Sequence, residues 1–177
     1  MKAWKLFCTF ALLGLFSSPL LGQIITFTAT LNGAQETPPV PYPGTGSGTL
    51  QFNTTTGAWN LSGTFSNLYG TTIDAHIHGP ATPGVPAGVV TPISFTSGAT
   101  SGSFSGSGTF TSSQATDLLA GLYYVNIHTN FYPLGEIRGQ LTAVPEPSVY
   151  ALGAGGAALL TVMISRARRK ARAISQA

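Results

Sequence analysis

The chain has 177 residues, a formal net charge of +3 and charged residues making up only 7 % of it, a length that suits one folded domain with address segments at its ends. The charge is unevenly placed: between Gln23 and Ala143 the one basic residue is Arg138, set against Glu36, Asp74, Asp117 and Glu136. This near-neutral, mildly acidic middle excludes a nucleic-acid-binding domain, which needs a basic face, and the single cysteine, Cys8, lies in the leading segment, so the domain has no disulfide, thiol nucleophile or thiolate metal site.

Lys2 and Lys5 precede an apolar run from Leu6 to Phe16 that Ser17-Ser18-Pro19 interrupts. A basic start, a short apolar stretch and then small residues read as a secretory signal over 1–22, removed by signal peptidase near Gly22. The folded domain is expected over 23–143.

Within it, apolar residues alternate with Ser, Thr and Gly at short intervals. Ile25, Phe27, Ala29 and Leu31 share a strand face, and Asn32-Gly33 turns the chain. Ala34 to Val40 holds Pro38-Pro39, which cannot join a central ladder, so it reads as an extended loop in which Glu36 is placed to cap loop amides. Thr49 to Asn53, then Trp59 to Phe65, form the next strands. Ile73 to His78 alternates strictly, which puts Ile73, Ala75 and Ile77 on one face and Asp74, His76 and His78 on the other. Gly79-Pro80 ends that run, and a Pro/Gly-rich loop follows to Gly88. Val89 to Phe95 and the glycine-rich Ser101 to Phe110 read as strands. Thr111 to Gly121 is the one helix candidate, with Ser/Thr caps in front and glycine as its stop. Leu122 to Thr129 sets Tyr123, Val125 and Ile127 against Tyr124, Asn126 and His128. In Gly135 to Ala143, Ile137 and Leu141 point inward while Glu136, Arg138 and Gln140 point outward. The expected fold is all-β: an antiparallel β-sandwich of about eight short strands with one short helix, flanked by a signal helix and a C-terminal transmembrane helix.

Segment 144–177 begins with Val144-Pro145-Glu146-Pro147-Ser148. An apolar run from Val149 to Ile164 follows, then Arg166, Arg168, Arg169, Lys170 and Arg172. As a helix the run covers about 24 Å, enough for a thin bilayer, with the basic cluster held in the cytoplasm. Gly153, Gly155 and Gly156 make it a poor permanent anchor. This order of Pro-Glu-Pro, apolar helix and arginine cluster resembles the PEP-CTERM sorting signal. The resemblance implies recognition by an exosortase-type transpeptidase, processing at or near Pro145-Glu146-Pro147, and a route through the inner membrane to the cell surface or an extracellular polysaccharide matrix.

Three further pieces resemble the CHRD domain: Leu31 to Val40, His76 to Ala81, and Gly121 to Thr129 with Gly135 to Leu141. Together they span the domain from Ile25 to Leu141. The resemblance implies a secreted or surface module and does not itself supply an activity. A second resemblance, to copper-zinc superoxide dismutases, rests on His76-x-His78, the late His128 and the Gly135-Glu136-Ile137-Arg138-Gly139 segment. It implies at most a three-histidine copper site, since no histidine remains to build a zinc site and no cysteine pair is present.

Two readings of the histidines therefore stand. They hydrogen-bond loop carbonyls and order the turn, or they bind copper or zinc through His76, His78 and His128; Asp74 is either a solvated strand acid or an acceptor that orients one of them. Arg138 is either an ion-pair partner of Glu36 or Glu136, or an anion-steering group. Tyr124 and Tyr132 are candidates for sugar contact. No Gly-x-Ser-x-Gly elbow marks a serine hydrolase. The leading function is a non-enzymatic surface or matrix module; the competing one is a metal-binding domain with redox activity.

Overall fold

The computed structural model describes residues 23–145, so both segments expected as terminal helices, Glu146, Pro147 and the basic cluster lie outside the described residues. Among the described residues no helix is long and apolar enough to cross a membrane.

Ten strands form one sheet in which every pairing is antiparallel. In chain order these are β1 (Ile24–Asn32), β2 (Thr45–Asn53), β3 (Ala58–Ser66), β4 (Thr72–His78), β5 (Val89–Pro92), β6 (Ser94–Phe95), β7 (Gly102–Thr109), β8 (Tyr124–Thr129), β9 (Ile137–Gln140) and β10 (Thr142–Ala143). The spatial order is β5-β4-β8-β9-β1-β2-β3-β7-β6, with β10 also on β1. Residues 89–95 pair first with β4 and then with β7, so the sheet closes on itself like a sandwich joined along both edges. Closure leaves no long open edge to recruit another chain.

Two expected strands are each broken in two, 89–95 at Ile93 and 137–143 at Leu141, which turns eight runs into ten strands. β2 starts at Thr45, earlier than its apolar residues announce. Gly46 and Gly48 carry no hydrophobic signal, yet Gly48 is buried because a Cβ there would meet the Phe104 ring at 3.0 Å.

The interior is the expected apolar stripe: Phe27, Leu31, Leu50, Phe52, Leu61, Phe104, Val125 and Ile127 are almost fully buried. Trp59 lies over Gly106 and Gly108 of β7, where a Cβ would meet the indole at 3.2 and 3.1 Å. The one α-helix among the described residues, α1 (Ser112–Leu119), is fixed by a capping box between Thr111 and Gln114 and drives Leu118 into the core.

Ile73 departs from the alternation. On β4, Thr72 pairs with Thr129 and Asp74 with His128, so Ile73 is an extra residue at a β-bulge and is half exposed. Thr72 takes the inward place and donates through Oγ1 to the Thr96 carbonyl at 2.6 Å. Beyond the bulge the alternation resumes, with Ala75 and Ile77 inward.

Candidate metal centre

Antiparallel register lays the outer face of β4, β8 and β9 out as rows. Asp74 lies opposite His128. His76, Asn126 and Arg138 form the next row, and His78, Tyr124 and Gln140 the third. Three histidines from two strands thus share one corner of one face. A nitrogen of each lies within 4.8 Å of those of the other two. His76 Nδ1 is 3.1 Å from His128 Nε2, and His78 Nε2 is 3.4 Å from the same atom.

The remaining ring nitrogens define the tautomers. His78 Nδ1–H donates to the Ala87 carbonyl at 2.9 Å, and His128 Nδ1–H donates to the Pro133 carbonyl at 3.0 Å. His76 Nε2 lies 3.2 Å from Asp74 Oδ1, a charge contact that favours the ring proton on that nitrogen. A carbonyl or carboxylate can only accept, so each neutral ring uses its one proton on that partner. The nitrogens that face one another, His76 Nδ1, His78 Nε2 and His128 Nε2, are then all lone pairs. Such an arrangement repels itself until a cation or a proton joins it.

For His78 and His128 protonation is the disfavoured remedy. His78 and His128 are only 8 % and 7 % exposed. Burial is the largest influence on both and pushes each below the ordinary histidine value. The main-chain carbonyls pull the other way, and the neighbouring imidazoles lower both further. A late first-row metal ion is the other remedy. At an ion about 2.0–2.1 Å from each nitrogen, separations of 3.1 and 3.4 Å subtend roughly 100° and 110°, and the third separation, bounded at 4.8 Å, closes on the same ion only at about 4.2 Å or less. The donor set is three imidazoles, with the outer oxygens orienting each ring.

Arg138 is a buried ion-pair partner. Its Nε–H donates to Glu36 Oε2 at 2.8 Å, and both side chains are buried. The expected cap at Glu36 is therefore absent; burial raises its carboxyl above the ordinary range while Arg138 pulls it down. Capping falls to Glu136, which is fully buried rather than outward in solvent. It accepts from Tyr69 N–H at 2.5 Å, Gly70 N–H at 2.9 Å and Thr129 Oγ1 at 2.8 Å.

Tyr124 is no surface sugar contact. It is buried between the His78 ring, stacked at 5.2 Å, and the Arg138 guanidinium at 5.0 Å, and its hydroxyl accepts Ala87 N–H at 3.0 Å. Tyr132 joins Tyr42, Tyr69 and Phe131 in an aromatic cluster at the rim. Sequence periodicity names the histidines, but the Ala87 and Pro133 carbonyls and the stacking of Tyr124 carry no sequence signal, because they arise from loop conformation and strand register.

The fold and site define a closed antiparallel β-sandwich with a buried polar face bearing three convergent imidazoles. Residues 27–141 match the CHRD domain family, and the chain belongs to that family. A CHRD module fits a secreted or extracellular binding role. No curated protein and no solved structure matches the chain.

Proposed function

We propose that residues 23–143 act outside the cytoplasm as a metal-binding module that holds one copper or zinc ion on His76, His78 and His128. One observation carries the reading: three ring nitrogens face one another while the opposite nitrogens of His78 and His128 donate to main-chain carbonyls and that of His76 lies against the Asp74 carboxylate. Three protein ligands leave an open position, and His76 with its side chain 16 % exposed gives that position access to solvent. Binding rather than turnover is the favoured role, because the one candidate for steering an anion, Arg138, is committed to Glu36.

Elemental analysis of the exported protein should find about one equivalent of copper or zinc after equilibration with the ion. Saturation at 100 times Kd should stabilise the fold by about 2.7 kcal/mol, read as a rise in Tm. His128→Ala should abolish that rise as completely as His78→Ala. Binding should weaken as pH falls below 6.5 through the lowered values of His78 and His128, where their rings take protons. Unchanged melting with either ion would return the histidines to the hydrogen-bonding role alone.

The tail reading is supported by the order of its parts. Processing near Pro145-Glu146-Pro147 should leave a surface form without Arg166, Arg168, Arg169, Lys170 and Arg172. Alanines at 145–147 should hold the protein at the inner membrane. Mass spectrometry that finds Ala177 at the terminus of the surface form would reject the processing step.

A further inference from the structure

The three imidazoles are not held alike. His78 and His128 are tied to main-chain carbonyls, which neither rotate away nor mutate. His76 is tied to a side chain, Asp74, whose carboxylate is 51 % exposed. That carboxylate is aimed by two local devices. The bulge at Ile73 sets Asp74 opposite His128, on the same face as His76, and Ala75 N–H donates to Asp74 Oδ1 at 2.9 Å. The same oxygen lies 3.2 Å from His76 Nε2.

We infer that Asp74 is the positioning residue of the site: it selects the His76 tautomer that turns Nδ1 toward His78 and His128. Without that acceptor His76 is free to carry its proton on Nδ1, where it would donate to His128 Nε2, 3.1 Å away, and close the site with a hydrogen bond. The site is therefore two fixed donors and one conditional donor. As a metal claim this rests on the reading of the trio given above; as a tautomer claim it stands without any ion.

The exported protein, metal-free and labelled with nitrogen-15, tests the tautomer by two-bond proton–nitrogen correlation. His76 should be protonated at Nε2 in the wild type and in Asp74→Asn, whose amide oxygen still accepts. In Asp74→Ala it should shift to Nδ1 or to a mixture, while His78 and His128 keep their protons on Nδ1 as internal controls. Competition with a chelator for Cu(II) should then show a loss of affinity of about 10- to 100-fold in Asp74→Ala, the usual scale for such orienting partners, and a much smaller one in Asp74→Asn. Electron paramagnetic resonance should count three coupled nitrogens in the wild type and in Asp74→Asn, and two in Asp74→Ala. A wild-type His76 protonated at Nδ1, or an Asp74→Ala spectrum unchanged in tautomer, overturns the inference. Asp74→Asn as weak as Asp74→Ala also overturns it, since charge and not the hydrogen bond would then be at work. If the tautomers behave as expected but neither copper nor zinc binds, the positioning role stands and the metal reading falls.

Discussion

The two halves of the closed sheet solve the same folding problem with different outer faces. In β1, β2, β3 and β7 the pattern is plain: apolar residues fill the interior, and Thr28, Thr49, Ser62 and Ser105 face solvent. In β8 and β9 both faces are buried, apart from a half-buried Gln140. Their outer faces, with that of β4, carry all three histidines, Tyr124, Asn126 and Arg138, which loops 33–43, 79–88 and 130–135 adjoin. A polar group taken from water must find a partner in the protein. The covered half is therefore a network in which most groups have one assigned neighbour, and the candidate site is a corner of it. The open half needs no such network and carries no such chemistry.

The contrast breaks most visibly at the buried ion pair. Glu36→Leu strands a guanidinium that cannot lose its proton and should cost about 3–5 kcal/mol in chemical denaturation. Arg138→Met should cost less, because the Glu36 carboxyl, already raised by burial, can take a proton in its place. Equal losses would mean that the pair is not the asymmetric partnership its burial implies.

Tyr124→Phe tests the layer between that pair and the histidines. It keeps the ring between His78 and Arg138 but removes the acceptor for Ala87 N–H, and should cost about 1 kcal/mol in urea unfolding. Because Ala87 also supplies the carbonyl for His78, the same variant should weaken copper binding, whereas a stability loss with unchanged affinity would uncouple the loop from the site.

Acid reads the contrast without mutation. His78 and His128 titrate below 6.5 in the folded protein and near 6.5 when unfolded. Below pH 6.5 the unfolded chain therefore binds more protons, so their contribution is complete above 6.5 and is lost as pH falls toward their folded values. Glu36 acts with the opposite sign. Its raised carboxyl contributes fully below its unfolded value of 4.5, and that contribution is lost as pH rises through its folded value. Melting the metal-free protein across this range should show Tm falling with acid, and the double variant His78→Gln/His128→Gln should remove that fall.

The smallest effect belongs to the open half. Ser62→Lys, on an exposed face with no assigned partner, should change stability by no more than about 0.5 kcal/mol and leave metal binding untouched. A large loss there would show the two outer faces to be more alike than their burial suggests.

Alternation by itself determined most of the inner face, because side-chain direction on a strand has period two and only one phase buries the apolar residues. It determined the capped helix and placed His76 and His78 on a common face for the same local reason. It misplaced Ile73, because a bulge is an agreement between two strands and leaves no mark on either one. It pointed Glu136 and Arg138 away from the core and left Arg138 open between an ion pair and a steering role, because whether loops cover an outer face depends on contacts far apart in the chain, such as Arg138 with Glu36. The meeting of His128 with the other two was decided only by tertiary structure: β8 had to pair with β4, antiparallel and in the register that sets His128 against Asp74, before three separate imidazoles could face one point.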